Sequence, residues 1–594
     1  MTIYNAPTRD TEFVLKELLQ FEQFREVLGF EEATEDMISA ILDEAGKLAS
    51  QELHASNATG DQQGCKLEDG VVTTPDGFKE AYKLFSEGGW LALAMPEEYG
   101  GQGMPHTLSF MLHEQFGAAN HALFMYPALT EGAIGALLRW ANDDIKNKYV
   151  PKMVSGEWTG TMNLTEPHAG SDLGLLSTKA EPNGDGSYSL TGSKIFISAG
   201  EHDMVDNIIH LVLARTPDAP EGSKGISLFV VPKVLVNDDG SLGDRNGVVC
   251  TNIEHKMGIH GNATCSISFD GATGWMVGEE HKGLRAMFTM MNTARMGVAI
   301  EGLAAADLAY QNAVEYAKER LQGRGLSGRT EPDKAADPII SHPDVRRMLL
   351  TMRSFVESAR ALTGWMALQL DISHCHPDED TRQIADDLLG LMTPVAKAFF
   401  TDEGSRSANL AVQVYGGHGF ITEHGIEQFV RDARISQIYE GTNGIQALDL
   451  VGRKLAMNGG RAVTEFFKQV EAEIKSSDDS LADLSKPMAD ALASLQKATG
   501  WLMENGLENP NNVGAGATAY LRLFAVVALG WQWLKIVKVA EEALKQDGAD
   551  TNFYGSKRPV AQFFMQHFVS EHSSLLTSIE GGSDAVMALD AAQF

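Results

Sequence analysis

The sequence has few cysteines and a shortage of positive charge. Only four cysteines occur in 594 residues, far apart and without CxxC spacing. This excludes a disulfide framework and a zinc ribbon and is typical of the reducing cytosol, so we expect a cytoplasmic location. Lys and Arg number 48 against 80 Asp and Glu, a formal net charge of −32. Phosphate backbones and anionic lipid surfaces would repel such a chain, and nucleic acid is not an expected partner.

Targeting, membrane and metal signals are also missing. The first residues, MTIYNAPTRDTEFVL, contain no basic stretch followed by an apolar one, so no signal peptide is predicted. The most apolar late stretch, 521–539, is interrupted by Arg522, Gln532 and Lys535, which predicts a buried helix rather than a membrane span. The HCH run at 374–376 lacks ligand partners at helical or CxxC spacing, and no metal site is expected there.

The composition is that of an ordinary globular protein. Apolar residues make up 43% and charged residues 22% of the chain, which excludes wholesale disorder and a fibrous protein. At about 150 residues per domain, roughly four units are expected. Helical periodicity gives way near residue 159 to short alternating runs separated by Gly, Asn and Asp, and it returns near residue 283. We therefore predict an α+β, mainly α fold. The predicted domains are an N-terminal extension (1–34), an N-terminal helical domain (35–158), a middle β domain (159–282), a C-terminal helical bundle (283–458) and an additional helical domain (459–594).

Two loops of the β region carry residues suited to a ligand. The segment TMNLTEPHAGSDLG, 161–174, combines hydroxyl residues, a Pro turn and Gly, so that hydroxyls and backbone N–H groups can approach a polar ring edge or a phosphate. In GSKIFISAGEHDM, 192–204, Ser198 could face a ligand while Phe196 lies against its flat face. A hydrogen-bonded turn and a bare hairpin edge explain the same two patterns without any ligand.

Two segments of the C-terminal half are further candidates. In RISQIYEGTNGIQALDLVGRKL, 434–455, Thr442 or Asn443 can cap a helix, and Glu440 lies on the loop just before the cap. Glu440 is either a solvated carboxylate or a general base whose pKa an apolar cavity raises. In QVYGGHGF, 413–420, the glycines allow close approach to a large ligand, a neighbouring subunit or a packed helix. No GxGxxG fingerprint follows a strand there, so a Rossmann domain is not supported.

Taken together and in this order, these segments resemble the acyl-CoA dehydrogenase family. The resemblance covers about 35–455, and the N-terminal segment and long helical tail are similar to those of the large bacterial members. The motifs that carry it are LTEPHAGSD (164–172), FIS (196–198), MNTAR (291–295), ER (319–320), QVYGGHGF (413–420) and YEGTNGIQ (439–446).

The resemblance implies a middle β-barrel between helical domains, with FAD bound between the β domain and the C-terminal bundle. It also implies roles for particular residues. Those that would contact FAD are Met162, Leu164, Thr165, Gly170, Ser171, Phe196, Ser198, Thr442 and Gly444. Those that would reach the FAD of a neighbouring subunit are Arg320, Gln413 and Gly417. Those that would bind acyl-CoA are Ser171, Asn292, Arg295, Tyr439 and Gly441, with Glu440 as the catalytic base.

The implied reaction is the α,β-dehydrogenation of an acyl-CoA thioester to a trans-2-enoyl-CoA. Glu440 would take the α-proton while a hydride passes to flavin N5, and an electron-transferring flavoprotein would reoxidise the flavin. Candidate substrates are short- to medium-chain acyl-CoA and 3-methylmercaptopropionyl-CoA. An acyl-CoA oxidase that uses oxygen, a non-catalytic acyl-CoA- or flavin-binding protein and a flavin monooxygenase or nitroalkane-oxidase-like enzyme are the alternatives.

The apolar tail bears on assembly. The stretch 520–540 is apolar nearly all round and must be buried against its own chain or a partner. Smaller family members commonly form tetramers built as a dimer of dimers. We predict that the tail covers the surface that a second dimer would occupy, so that this protein is a homodimer.

Overall fold

The fold is described from a computed structural model, which covers residues 2–594 apart from the side chain of Asn292. The chain forms two compact units. One consists of the residues up to Asp43 together with His106–Ala118 and Val298–Phe594, and the other consists of Glu44–Pro105 and Ala119–Gly297. The predicted domain boundaries at 34, 158, 282 and 458 stay predictions.

The first part of the chain is helical, with one small β-hairpin. Helices α7 and α8 begin at capping asparagines, since the side chains of Asn120 and Asn142 accept hydrogen bonds from the backbone N–H groups of Leu123 and Ile145. The elements are α1 (Thr8–Glu12), α2 (Glu22–Arg25), α3 (Glu35–Lys47), α4 (Asn57–Gln63), β1 (Lys66–Glu68), β2 (Val71–Thr73), α5 (Phe78–Glu87), α6 (His106–Ala119), α7 (His121–Trp140) and α8 (Asp143–Val154).

The middle region is a seven-stranded sheet with a separate two-stranded ribbon. The strands are β3 (Trp158–Asn163), β4 (Lys179–Pro182), β5 (Tyr188–Ser198), β6 (Asn207–Ala214), β7 (Ser227–Pro232), β8 (Val234–Val236), β9 (Leu242–Arg245), β10 (Val248–Ile253) and β11 (Thr264–Val277). In the large sheet the order is β3-β6-β7-β11-β5-β4, with β10 beside β11, and β3 pairs parallel with β6 whereas the other pairs are antiparallel. The ribbon is β8-β9.

The predicted barrel is wrong, because this sheet is open. Its end strands are β3 and β4, and among the described residues no ladder joins them. Strand β11 spans 14 residues and shifts register near Cys265 and again near Asp270. These irregularities let its two halves pair with different neighbours, β10 and β7, so the sheet bends without closing. Buried residues of its strands, which include Leu190, Phe229 and Phe269, form one hydrophobic core cluster.

The rest of the chain is helical again. The main helices are α9 (Gly283–Glu319), α10 (Pro343–Cys375), α11 (Glu379–Tyr415), α12 (Ile426–Ala433), α13 (Asn443–Asp449), α14 (Arg461–Lys475), α15 (Ala482–Glu508), α16 (Pro510–Ala543), α17 (Thr551–His567) and α18 (His572–Glu580). Single turns at Gly416–Phe420 and Arg434–Gln437 connect the helices that carry the functional motifs.

The prediction of a buried late helix is confirmed by α16. By length and composition it is the one helix of the described chain that could cross a membrane, yet 67% of its most apolar stretch is buried inside the fold. Trp533 donates to the carbonyl of Ser354 at 3.0 Å, and Trp531 packs edge-on against Trp365 with ring centroids 5.4 Å apart. Helix α16 is therefore a core helix of its unit, in contact with α10, α11, α15 and α18.

Candidate active site

The loop that follows β3 is held in place by a buried ion pair. The Glu166 carboxylate accepts hydrogen bonds from the hydroxyl and the backbone N–H of both Ser177 and Thr178, at 2.6–3.0 Å. Lys194 on β5 donates to Glu166 at 2.9 Å and to the carbonyl of Leu164 at 3.0 Å. Burial opposes the charge on Glu166, but Lys194 and the hydrogen bonds outweigh it and lower the pKa of Glu166 to about 2. Burial in turn lowers the pKa of Lys194 to about 8.

The end of β5 meets this loop and presents an aromatic ring. Ile195 donates its backbone N–H to the carbonyl of Thr165 at 2.9 Å, so the two predicted ligand loops are neighbours. Phe196 and Ala199 both have left-handed backbone, with φ of 59° and 56°, which non-glycine residues adopt only at a cost of about 1 kcal/mol or more. The Phe196 side chain is nevertheless 59% exposed. A strained backbone that holds a large apolar ring in the open is typical of a ligand site.

The same surface carries hydroxyl groups that are available to a ligand. In the part of the chain that the structure describes, the hydroxyls of Thr165, Ser171 and Ser198 make no hydrogen bond within the protein. A Cβ atom on Gly170 would meet only a methyl group of Thr165, at 4.0 Å, so the loop is open above that glycine. Met162 and Leu164, also predicted to border the flavin, are half-buried at this edge. The exposed ring, the open backbone and the available hydroxyl groups together fit the flat face and the polar edge of a flavin.

The residue predicted to be the catalytic base lies on a strained loop before α13. Thr442 is the N-cap of α13 and accepts from the N–H of Ile445, which decides between the two predicted caps. Glu440 has left-handed backbone with φ of 54°, and Gly441 follows with φ of 87°. A Cβ on Gly441 would lie 2.6 Å from Nε2 of Gln446, so this position needs glycine.

Side chains from the protein interior donate hydrogen bonds to the carbonyl groups of this loop. The side chain of Gln446 donates to the carbonyls of Glu440 and Gly441, at 3.1 and 3.3 Å. Lys397 on α11, fully buried, donates to the carbonyl of Gly441 at 2.8 Å and to the Asn443 side chain at 3.0 Å. Because two donors hold successive carbonyls, the peptide planes around Glu440 have one orientation.

A second layer of polar side chains holds the donors themselves. Asn443 donates to Asp402 at 2.8 Å and to the Thr401 hydroxyl at 3.0 Å, and Gln437 donates to Asp402 at 2.6 Å. Sequence reasoning missed Lys397, Asp402 and Gln446. A signal existed, since Lys397 and Thr401 lie four residues apart on one face of an otherwise apolar helix stretch, with Asp402 directly after Thr401.

The other predicted residues are spread over both units. Arg295 on α9 is buried, Gly444 is exposed, and the Asn292 side chain lies outside the described part. Tyr439 precedes Glu440, and its hydroxyl donates to Glu301 of α9. The sites implied for a neighbouring subunit's FAD, which are Arg320, Gln413 and Gly417, are exposed on one unit. There, Tyr316 and Tyr415 stack with ring centroids 4.0 Å apart, which brings the end of α9 beside the glycine turn.

Family models match nearly the whole chain. The acyl-CoA dehydrogenase N-terminal domain matches 37–157, the middle domain 161–272 and the C-terminal domain 281–455. A model described as acetyl-CoA dehydrogenase C-terminal like matches 466–590. The chain therefore belongs to the acyl-CoA dehydrogenase family.

Full-length relatives are known. The chain is 41% identical to 3-methylmercaptopropionyl-CoA dehydrogenase of Ruegeria pomeroyi, over 98% of this chain and 99% of the relative. It is 36% identical to a butyryl-CoA dehydrogenase of Syntrophomonas wolfei, over 95% of each chain. It is also 34% identical to the broad-specificity linear acyl-CoA dehydrogenase FadE5 of Mycobacterium tuberculosis, over the full length of both chains.

Solved structures share the fold. The Caenorhabditis elegans ACDH-11 complex with C11-CoA has a TM-score of 0.77 at 19% identity and covers 96% of this chain and 92% of that one. The acyl-CoA dehydrogenase of Bacillus anthracis complexed with FAD has a TM-score of 0.70 at 22% identity, over 87% of this chain and 84% of that one. A chain in the structure of the electron transferring flavoprotein of Acidaminococcus fermentans has a TM-score of 0.58 at 26% identity, over 71% and 98%.

Family membership and the open loops of the sheet agree on the class of enzyme. The protein is an oxidoreductase that acts on an acyl-CoA, and FAD is its cofactor.

Proposed function

We propose that the protein oxidises the Cα–Cβ bond of an acyl-CoA thioester to a trans-2-enoyl-CoA, with Glu440 as the base. The observation that carries this proposal is the clamped loop: Gln446 and Lys397 hold the carbonyls of Glu440 and Gly441. A general base must stay within hydrogen-bond reach of one proton, so a fixed backbone suits the task.

The chain's own residues divide the work of the reaction. Glu440 takes the α-proton, and its backbone N–H donates to the thioester carbonyl, where it stabilises the negative charge of the developing enolate. Bound FAD supplies the acceptor for the hydride that leaves Cβ. The bound acyl chain would cover the site and exclude water, and this would raise the pKa of Glu440 towards the value that proton abstraction needs.

Binding of the two ligands is assigned by motif and supported by the open surface described above. The isoalloxazine would lie against Phe196, Met162 and Leu164, with the hydroxyls of Thr165 and Ser198 on its polar edge. Further FAD contacts would come from Gly170, Ser171, Thr442 and Gly444, and those to the neighbouring subunit's FAD from Arg320, Gln413 and Gly417. Acyl-CoA would be held by Ser171, Asn292, Arg295, Tyr439 and Gly441.

The acyl group is proposed to be short or medium in length, with 3-methylmercaptopropionyl-CoA as the leading candidate. Support comes from the relative that acts on that thioester, since it is 41% identical over 98% of this chain. The butyryl-CoA dehydrogenase at 36% identity supports short linear chains. Anaerobic mixing with a panel of acyl-CoA thioesters tests this. Flavin bleaching should be fastest with one of these, and bleaching confined to long chains would contradict it.

Assembly, acceptor and compartment complete the proposal. The protein would be a cytoplasmic homodimer that passes electrons to an electron-transferring flavoprotein. The exposed glycine turn supports the dimer, since Phe420 and Ile421 beside it are 82% and 46% exposed and form an apolar surface that a partner could cover. All four cysteines are free thiols, which fits a reducing compartment. Light scattering should give the mass of a dimer, and a tetramer mass would contradict the role given to the tail.

A variant that lacks 460–594 sharpens the assembly proposal. Without that segment, apolar faces that α16 covers would be exposed, so the truncated protein should aggregate or form tetramers. A truncated protein that stays a soluble dimer with full FAD would show that the tail does not limit assembly.

A further inference from the structure

The residue before the base makes a contact that the reaction scheme does not use. The Tyr439 hydroxyl donates a hydrogen bond to Oε2 of Glu301, which lies 138 positions earlier on α9. Burial raises the pKa of Tyr439 well above its usual value, and the Glu301 and Glu440 charges raise it further. The phenol therefore keeps its proton at any working pH and can always donate to Glu301.

Glu301 is itself held on a rigid support. The next residue, Gly302, lies where α9 crosses α11, and a Cβ there would come within 2.3 Å of the carbonyl of Phe400. From the other side, a Cβ on Gly404 would lie 2.4 Å from the carbonyl of Gly302. Only glycines allow two helix backbones to approach so closely. The crossing fixes Glu301 relative to α11, the helix that also carries Lys397.

The loop 438–442, which carries the proposed base, is called the base loop. Helices α9 and α11 hold it from both ends. Lys397 of α11 holds the carbonyl of Gly441, directly after the base. Glu301 of α9 holds the side chain of Tyr439, directly before it. Glu440, whose backbone is left-handed, lies between these two anchor points, and Gln446 holds its carbonyl as well.

We propose that Glu301 is a positioning residue for the base: through Tyr439 it sets the place of the Glu440 backbone, and its carboxylate acts on Glu440 as a fixed negative charge. This inference rests on the proposed function, because it takes Glu440 as the base. The charged and titratable groups that hydrogen bonds place around the loop include Glu301 on α9, Lys397 and Asp402 on α11, and Tyr439 within the loop itself.

Three variants of the FAD-loaded enzyme separate position from charge. Tyr439→Phe removes the hydrogen bond and keeps the charge, Glu301→Gln keeps an acceptor and removes the charge, and Glu301→Ala removes both. The readout is the rate of flavin bleaching in a single anaerobic turnover as a function of pH. Glu315→Gln is the matched control, since Glu315 is exposed on the same helix, about 21 Å further along, and pairs with Lys318.

The expected results differ for each variant. Tyr439→Phe and Glu301→Ala should each slow bleaching about tenfold, and the double variant should be no slower, because both remove the same contact. Glu301→Gln should keep more than half of the rate, but its acid limb should move to lower pH, because a nearby negative charge no longer disfavours ionised Glu440. If Glu301→Ala fails to load FAD, the pH shift of Glu301→Gln alone decides.

Two outcomes would overturn the inference. One is a rate and pH profile for the Glu301 variants equal to those of Glu315→Gln, and the other is strictly additive losses in the double variant. A purely structural role would lower FAD content without moving the acid limb. Glu440→Gln, measured in parallel, distinguishes failure of the proposed function from failure of this inference. If Glu440→Gln bleaches at the normal rate, the proposed function fails. If Glu440→Gln is inactive but the Glu301 variants behave like the wild-type enzyme, only this inference fails.

Discussion

The loop after β3 and the loop before α13 use the same device with different partners. In each, a fully buried lysine donates to a loop carbonyl: Lys194 to Leu164 at 3.0 Å and Lys397 to Gly441 at 2.8 Å. Lys194 also forms an ion pair with Glu166, whereas Lys397 also donates to the side-chain oxygen of Asn443. The loop after β3, which is proposed to face the flavin (the flavin loop), is thus tied through an ion pair with a carboxylate. The base loop is tied through hydrogen bonds from Lys397 to a carbonyl and to an amide oxygen.

This difference has consequences for how each loop fails. Removing one member of a buried ion pair leaves the other charge without compensation, which is costly. Removing a donor from a carbonyl leaves an unpaired dipole, which costs less and acts locally. The β region should therefore be the more sensitive of the two to changes of charge, and the base loop to changes of geometry.

Lys194→Met should have the largest effect on stability. It leaves Glu166 buried without its cation, at a cost of about 3–5 kcal/mol, and should also loosen the flavin loop. Thermal unfolding should shift to lower temperature and the purified protein should carry less FAD. Lys179→Met, at an exposed position on β4, is the control. If both variants melt together with full FAD, the ion pair does not support the loop.

Lys397→Met should cost less stability and more activity. It leaves the Gly441 carbonyl with one donor fewer, at about 1–3 kcal/mol, while the FAD contacts proposed on the sheet stay in place. Flavin bleaching by acyl-CoA should slow about tenfold at normal FAD content. Lys468→Met, exposed on α14, serves as the control. An equal loss of FAD in both lysine variants would erase the proposed contrast between the loops.

Replacing the available hydroxyls of the flavin loop should have a smaller effect. A Thr165→Ala, Ser171→Ala, Ser198→Ala triple variant removes hydrogen bonds worth roughly 1 kcal/mol each and should purify with substoichiometric FAD. These hydroxyls make no bond within the described protein, so melting of the apoprotein should hardly change. Full FAD occupancy with an unchanged visible spectrum would place the flavin elsewhere.

The stability of the wild-type protein should also depend on pH in acid. The folded pKa of Glu166 is lowered to about 2, so its stabilising contribution is complete above its unfolded pKa of 4.5 and is lost as the pH falls towards 2. Tryptophan fluorescence should show acid unfolding in that window, and Glu166→Gln should flatten this dependence while lowering stability at pH 7. An unchanged acid profile in Glu166→Gln would mean that other carboxylates control it.

Much of the fold followed from local patterns in the sequence. The change of periodicity near residue 159 marked the β region, and the apolar stretch around Trp531 marked α16 as a core helix. The barrel, which the family resemblance implied, was wrong because the sheet is open between β3 and β4, and strand alternation does not tell whether a sheet closes. The order of the motifs along the chain led to the candidate site, whereas each motif alone could be explained without a ligand.

The supporting residues could not be predicted in the same way. Lys397 meets its carbonyl 44 positions away, and Glu301 meets Tyr439 across 138 positions. No periodicity links such pairs, because they depend on how α9 and α11 cross. Lys194 and Glu166 stood within quoted motifs, but only the folded sheet shows that both are buried.

The most direct test of the whole account is the rate of anaerobic flavin bleaching in Glu440→Gln. The substitution keeps the size of the side chain and removes its basicity, and the loop contacts of Gln446 and Lys397 go to the backbone, so FAD content and acyl-CoA binding should persist. The account predicts a loss of about 10²–10⁴ in rate, the usual contribution of a general base. Bleaching at close to the wild-type rate would contradict it.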